Sequence, residues 1–251
     1  MELSYKGTAY NGWQRQDNAP SVQAALEDSI TKLLREKTVV TGAGRTDTGV
    51  HAAYYVAHFD CVDPIPDVCD FTYHLNAVLP PDIAVSSINA VSDDAHARFD
   101  ALSREYKYYI SVVKNPFIRE TAWIFRGELD IDAMNVAAGI LLTTEDFTTF
   151  GKLHSGNKTN ICKVFTAEWT RCGDVLVFTI RANRFLRNMV RSITGTLVDV
   201  GRGKITVEEF GDIVCSRDLS RATNSAPAQG LFLSDVKYPQ EVFANKTTAT
   251  I

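Results

Sequence analysis

The sequence predicts an α+β fold built on a mixed, largely antiparallel sheet. Three observations carry this prediction. Strand-like and helix-like segments are both plentiful, yet they do not follow the steady βαβ alternation of a parallel sheet. Two β-rich runs, 164–171 and 175–182, flank Cys172-Gly173-Asp174, which is a hairpin signal. The composition is that of a globular chain: of 251 residues, 45% are hydrophobic and 22% charged. No apolar run reaches the roughly 18 residues of a membrane span.

Taken in order, residues 20–37 give the clearest helix. Pro20-Ser21 opens it, and Val22, Ala25, Leu26, Ile30, Leu33 and Leu34 recur at helical spacing as one apolar face. Val39-Val40 reads as a short strand running into Gly42-Ala43-Gly44. Residues 53–59 alternate as a strand does. A helix is expected over 67–79, stopped by Pro80-Pro81. Residues 105–113, rich in Tyr, Ile and Val, read as a strand, and 132–142 as a helix. Residues 185–200 place Leu186, Met189, Val190, Ile193, Leu197 and Val200 on a helical face. Thr206-x-x-Glu209 is a capping box that opens a helix to about Ser216. Residues 231–238 form the closing strand. Residues 114–130, holding Asn115-Pro116 and Gly127, are the expected divide between two halves, 1–113 and 114–251.

Five scattered cysteines, Cys61, Cys69, Cys162, Cys172 and Cys215, form no Cys-x-x-Cys pair. Neither a disulfide framework nor a zinc ribbon is expected, and a reducing, cytoplasmic setting is the simplest reading. The opening Met-Glu-Leu-Ser-Tyr lacks the basic flank and apolar core of a signal peptide. A formal net charge of −4 argues against a wholly basic nucleic-acid coat, but not against a local basic face.

Residues 42–52 read Gly-Ala-Gly-Arg-Thr-Asp-Thr-Gly-Val-His-Ala. The glycines permit unusual backbone angles and the close approach of a ligand. Arg45 and Asp47 share a side if the segment is extended. A carboxylate beside a guanidinium stays ionised, which suits a nucleophile or a base. Loop composition alone favours a structural turn braced by an Arg–Asp ion pair. Neither the phosphate-loop pattern nor the dinucleotide fingerprint is present.

The full eleven residues alter that balance. They resemble the catalytic motif of the tRNA pseudouridine synthase A family, departing from its usual pattern only at Thr48. Four further segments resemble that family in the same order: 5–16 (Tyr-Lys-Gly-Thr-Ala-Tyr-Asn-Gly-Trp-Gln-Arg-Gln), His96-Ala-Arg-Phe99 with Arg104-Glu-Tyr106, 184–191 (Arg-Phe-Leu-Arg-Asn-Met-Val-Arg) and 228–233 (Ala-Gln-Gly-Leu-Phe-Leu). Five ordered matches over most of the chain are far more specific than any one motif. Two departures touch the first strand. It begins only four residues before Tyr5, shorter than is usual in the family, and Lys6 replaces the usual acidic residue.

The resemblance implies a uridine-to-pseudouridine isomerase acting on the anticodon stem-loop of tRNA at positions 38–40. It implies no cofactor, no metal and a homodimer; the expectation of no membrane partner comes instead from the lack of a spanning apolar run. It implies two ferredoxin-like halves, with helices on one face of the sheet and a central RNA-binding cleft. The catalytic loop falls in the half 1–113, and the basic helix in 114–251. By the same resemblance Asp47 is the nucleophile, Tyr106 stacks on the base, Arg191 is the basic partner of the aspartate, Arg45 helps flip the base out, and Leu231 lines the uracil pocket.

Read without the family, Tyr106 and Tyr108 share one strand face and are expected in the core. Arg184, Arg187 and Arg191 share a stripe if 184–200 is helical, and residues 184–204 carry five cations against the single acid Asp199. This favours phosphate contacts for Arg184 and Arg187. His51, His58, His74, His96 and His154 show no metal-ligand spacing, and His51 is expected to bond to the catalytic loop. Trp13 is expected to be buried. Two other functions compete. An RNA-binding module needs the basic stripe and the aromatics but not Asp47. A phosphate-binding enzyme needs a lysine near the end of the loop, and residues 48–53 supply none.

Overall fold

The computed structural model describes residues 1–152 and 159–243. Among these residues it shows five α-helices and a mixed, mostly antiparallel sheet of nine strands, an α+β fold. The chain divides into two compact units. One holds residues 1–102 and the stretch from Leu233; the other holds residues 103–232.

The first unit contains β1 (Glu2–Tyr5), α1 (Val22–Leu34), β2 (Val40–Gly42), β3 (His51–Phe59), α2 (Val68–Val78) and β4 (Ile83–Ser87). β1 is antiparallel to both β3 and β4, with Leu3 opposite Tyr55 and Tyr5 opposite Ile83. Short as it is, β1 therefore has partners on both sides, and Leu3 and Tyr5 are buried. β2 extends the pairing to β3, with Gly42 opposite Ala57. Ser21 caps α1 by accepting from the Ala24 N–H, and Asp67 caps α2 by accepting from that of Asp70. The buried face of α1 is turned relative to the expected one. Gln23 and Glu27 are buried beside Val22, Leu26 and Ile30, whereas Ala25, Leu33 and Leu34 are only half-buried. Both polar side chains are hydrogen-bonded, which is the condition for burying them cheaply.

The second unit contains β5 (Ser103–Ser111), β6 (Trp123–Ile124), α3 (Ile131–Ile140), β7 (Val164–Cys172), β8 (Val175–Ala182), α4 (Met189–Gly201) and α5 (Val207–Cys215). β7 and β8 form the expected hairpin, and β8 pairs antiparallel with β5, placing Tyr106 opposite Ile180. β6 adds a short parallel pairing to β5. α3 packs on β7, α4 and α5. The Thr206–Glu209 capping box forms as expected. β9 (Leu231–Lys237) follows, with its first two residues in this unit and the rest in the first.

One expectation is corrected here. The helix expected from residue 185 begins only at Met189, because Asn188 sits in the left-handed region at φ 65° and breaks the turn before it. Asn is among the few residues that tolerate this conformation. Arg184 and Arg187 thus precede the helix, and the three arginines share no helical stripe. α4 is itself a core helix, with most of its residues buried. Arg202 and Lys204 lie past its far end, where both pair with Asp199 at 3.4 and 3.3 Å.

Residues 43–50, which carry the Arg45–Asp47 pair, form an irregular segment held from two sides. From residues 5–13, the Tyr5 hydroxyl bonds to Thr46 Oγ1 (2.9 Å), the Trp13 N–H donates to the Thr46 carbonyl (3.4 Å), and the Gly49 N–H donates to the Tyr10 carbonyl (3.3 Å). From β3, the Tyr55 hydroxyl donates to the Gly44 carbonyl and accepts from the Gly44 N–H at 3.3 Å. Trp13 stacks on Tyr55 with centroids 4.1 Å apart, and both rings are buried. This closeness requires two glycines. A β-carbon at Gly42 collides with the Tyr55 hydroxyl and the Trp13 ring, and one at Gly12, where φ is 91°, collides with the Thr46 carbonyl. His51 accepts from the Gly7 N–H (2.9 Å), so this bond of its ring goes to the segment after β1 and not to the loop.

Gly42→Ala is expected to destabilise the chain by about 1–3 kcal/mol through overpacking, read as a lower urea midpoint. An unchanged midpoint contradicts the packing described.

At the end of β3, His58 Nδ1 accepts from the Ala97 N–H (3.1 Å), and its ring lies 5.0 Å from that of His96. Burial, and then the neighbouring His96, lower the His58 pKa from 6.5. The unfolded chain takes up a proton that the folded chain resists, so stability falls as the pH drops below 6.5. His58→Gln keeps an acceptor but cannot titrate. It should flatten the dependence of thermal stability on pH between about 5 and 7; an unchanged slope rules out this role for His58.

Candidate active site

Asp47 is half-buried and sits at the start of a turn closed by the Val50 N–H donating to the Asp47 carbonyl (3.1 Å). The bracing just described fixes the backbone on both sides of it, so the carboxylate is presented from a rigid segment. Two residues before it, Arg45 is exposed and donates through Nε to Gln14 Oε1 (3.1 Å). The loop is therefore braced by tyrosine hydroxyls and backbone bonds, and Arg45 is directed to Gln14. Arg45, Gln14, Gly42, Gly44, Thr41 and Arg98 line a concavity of the first unit. Trp13 forms part of its wall but is buried, as expected.

In the second unit, Tyr106 projects from β5 half-exposed, with its ring edge-on to Phe185 at 5.2 Å. Tyr108, on the same strand face, has the opposite fate. It is fully buried, its hydroxyl donates to the Pro227 carbonyl (2.7 Å), and burial pushes its pKa well up. Of the two tyrosines, only Tyr106 retains an exposed surface. Arg191, in the first turn of α4, donates through Nε to the Ala226 carbonyl (2.8 Å), while its own carbonyl accepts from the Ala226 N–H (2.9 Å). This reciprocal pair ties the plane of the guanidinium to the segment before β9. Leu231, at the start of β9, is buried. Arg184 is half-exposed and donates to the Thr159 carbonyl (3.2 Å); Arg187 is exposed.

Sequence reading gives no role to Tyr55, Gln23 or Glu27, and it places Tyr5 and Gln14 in the family-like segment 5–16 without their bonds to the loop; all five support the loop without belonging to it. No local signal in the sequence marks this support, because the residues come together only in the folded chain. Among the described residues, no cluster of three or more His, Cys, Asp and Glu side chains is arranged to hold a metal, and no helix is long and apolar enough to cross a membrane. His154 lies outside the described residues.

Comparison with known proteins adds the family. Residues 3–100 and 137–239 match the tRNA pseudouridine synthase family. The chain is 49% identical over 241 residues to the tRNA pseudouridine synthase A of Parabacteroides distasonis, covering 96% of each protein. It is 51% identical over 242 residues to that of Bacteroides fragilis, again covering 96% of each. With that of Bacteroides thetaiotaomicron the identity is 49% over 252 residues, 99% of this chain and 93% of the relative. The residues matched to the family include the loop with Asp47 and the helix with Arg191, the likeness to single relatives spans nearly the whole chain, and on this ground the chain belongs to the tRNA pseudouridine synthase family, a family of isomerases.

Proposed function

We propose that this pseudouridine synthase isomerises uridine in the anticodon stem-loop of tRNA, at positions 38–40, with Asp47 as its nucleophile. The observation that carries the reading is Asp47 itself: a half-buried carboxylate on a segment immobilised by Tyr5, Tyr55 and Trp13, within a motif that resembles the family's catalytic loop. The reaction breaks the N1–C1′ bond and makes a C5–C1′ bond. A carboxylate serves it by attacking C1′, which releases the uracil anion until C5 displaces the carboxylate from C1′, or by adding to C6 of the base, from which it is expelled once C1′ is joined to C5; both routes end with loss of the proton from C5 and gain of one at N1.

The remaining roles follow from what the chemistry demands. Taking the uridine out of its stack costs a few kcal/mol. Stacking on the exposed face of Tyr106 returns about 1–3 kcal/mol of it. Arg45 assists the flip from the loop, and Leu231 gives the uracil an apolar wall. Desolvation in a base-filled pocket favours the neutral form of any carboxylic acid, which is a poor nucleophile. A guanidinium partner opposes that, and Arg191 is assigned this role. Arg184 and Arg187 serve tRNA phosphates. The homodimer, the cytoplasmic setting and the division into halves 1–113 and 114–251 belong to the same proposal, supported by resemblance to the family.

Asp47→Asn keeps the shape and removes the charge. It should fold, bind tRNA with near-normal affinity and form no pseudouridine in a single turnover. Conversion at even about a tenth of the wild-type rate rules out Asp47 as nucleophile.

Arg184→Ala and Arg187→Ala should each weaken tRNA binding and flatten the slope of log affinity against log salt by about one for each phosphate that the variant no longer neutralises. Unchanged slopes in both variants remove these arginines from the interface.

A further inference from the structure

We propose that Gln14 is a positioning residue that sets the direction of the Arg45 guanidinium. The proposal rests on the role given to Arg45 above. It comes from a chain of hydrogen bonds running from the buried interior of α1 to the exposed loop. Glu27, 6% exposed, accepts through Oε1 from the Val40 N–H (3.1 Å) and from Gln23 Nε2 (2.9 Å). Gln23, 8% exposed, also donates through Nε2 to the Val40 carbonyl (2.8 Å). Gln14 Nε2 donates to Gln23 Oε1 (2.8 Å), and Gln14 Oε1 accepts from Arg45 Nε (3.1 Å).

The polarity of this chain is fixed by main-chain groups. The Val40 carbonyl only accepts, so it faces the amide nitrogen of Gln23. The Arg15 N–H only donates, and it donates to Gln23 Oε1 at 2.8 Å. Gln23 must therefore present its oxygen to Gln14, Gln14 must meet it with its nitrogen, and the Gln14 oxygen is left pointing at Arg45. No amide in the chain can turn over without setting two like groups against each other. The bond to Gln14 uses Nε, so it holds the guanidinium by its inner nitrogen. The holder is a neutral amide, so it orients the guanidinium without neutralising it. A carboxylate in the same place would compete with substrate for the charge.

The test is a double-mutant cycle on single-turnover pseudouridine formation in an anticodon stem-loop, with binding and urea stability measured on the same samples. Gln14→Ala is expected to slow conversion about tenfold while leaving affinity within about threefold, because a misdirected group costs rate more than binding. In the Arg45→Ala background the same change should cost nothing further, since its target is gone. Gln14→Glu keeps an acceptor toward Arg45 but adds a charge, so at saturating stem-loop it should lose less rate than Gln14→Ala while binding the stem-loop more weakly, with a lower urea midpoint from its clash with Gln23 Oε1. A merely structural Gln14 gives additive losses in the cycle and rates that track stability across all three variants; that result overturns the proposal. So does a wild-type rate in Gln14→Ala beside a slow Arg45→Ala. A wild-type rate in Arg45→Ala overturns instead the role of Arg45 on which the proposal stands.

Discussion

The Tyr55 hydroxyl accepts from the Gly44 N–H and donates to the Gly44 carbonyl, and the Tyr55 ring stacks on Trp13 at 4.1 Å. Much else in the first unit follows from that contact. It fixes Gly44, two residues past the end of β2, and so the path of residues 45–47. A catalytic side chain must be held within about 0.5 Å of its working position. Glycines at 12 and 42 let the backbone and two large rings come close enough to do so. Each single bond contributes only about 1 kcal/mol. The rigidity comes from several such bonds converging on eight residues from two directions.

Electrostatics are distributed along the same lines. The buried charge of Glu27 is matched by Arg15 at 2.9 Å and by two N–H donors, so this carboxylate is not left uncompensated in the interior. From there to the surface only neutral amides intervene, and the cation at the end, Arg45, is oriented but not cancelled. In the second unit, Arg191 Nε donates to the Ala226 carbonyl, one of its partners. A nucleic-acid substrate gains from cations that keep their charge, because phosphate contacts and counterion release depend on it. Arg202 and Lys204 are already paired with Asp199 and contribute less to such a surface.

Elements with strong local signals are legible in the sequence. The β7–β8 hairpin, α5 with its capping box, and α1 with its Ser21 cap all form within a few residues of the expected limits. β4 and β6 carry no such signal. One is five residues long and follows Pro80-Pro81; the other is two residues long and depends wholly on β5. The start of α4 departs from expectation because hydrophobic periodicity continues through Leu186 while the helical backbone does not. The conformation of Asn188 overrides the pattern. Periodicity also cannot separate Tyr106 from Tyr108, which lie on one face. Their fates diverge through a contact distant in sequence, the packing of Gly230 and Pro227 against Tyr108. The loop motif is legible residue by residue. Its support is not, because Gln14, Gln23 and Glu27 meet only in the folded chain.

Incubating the purified chain with unmodified tRNA and mapping pseudouridine at nucleotide resolution shows where this enzyme acts. New pseudouridine is expected at positions 38–40 of the anticodon stem-loop and nowhere else. Pseudouridine at other positions, or none at all with folded protein and intact tRNA, contradicts the proposed target.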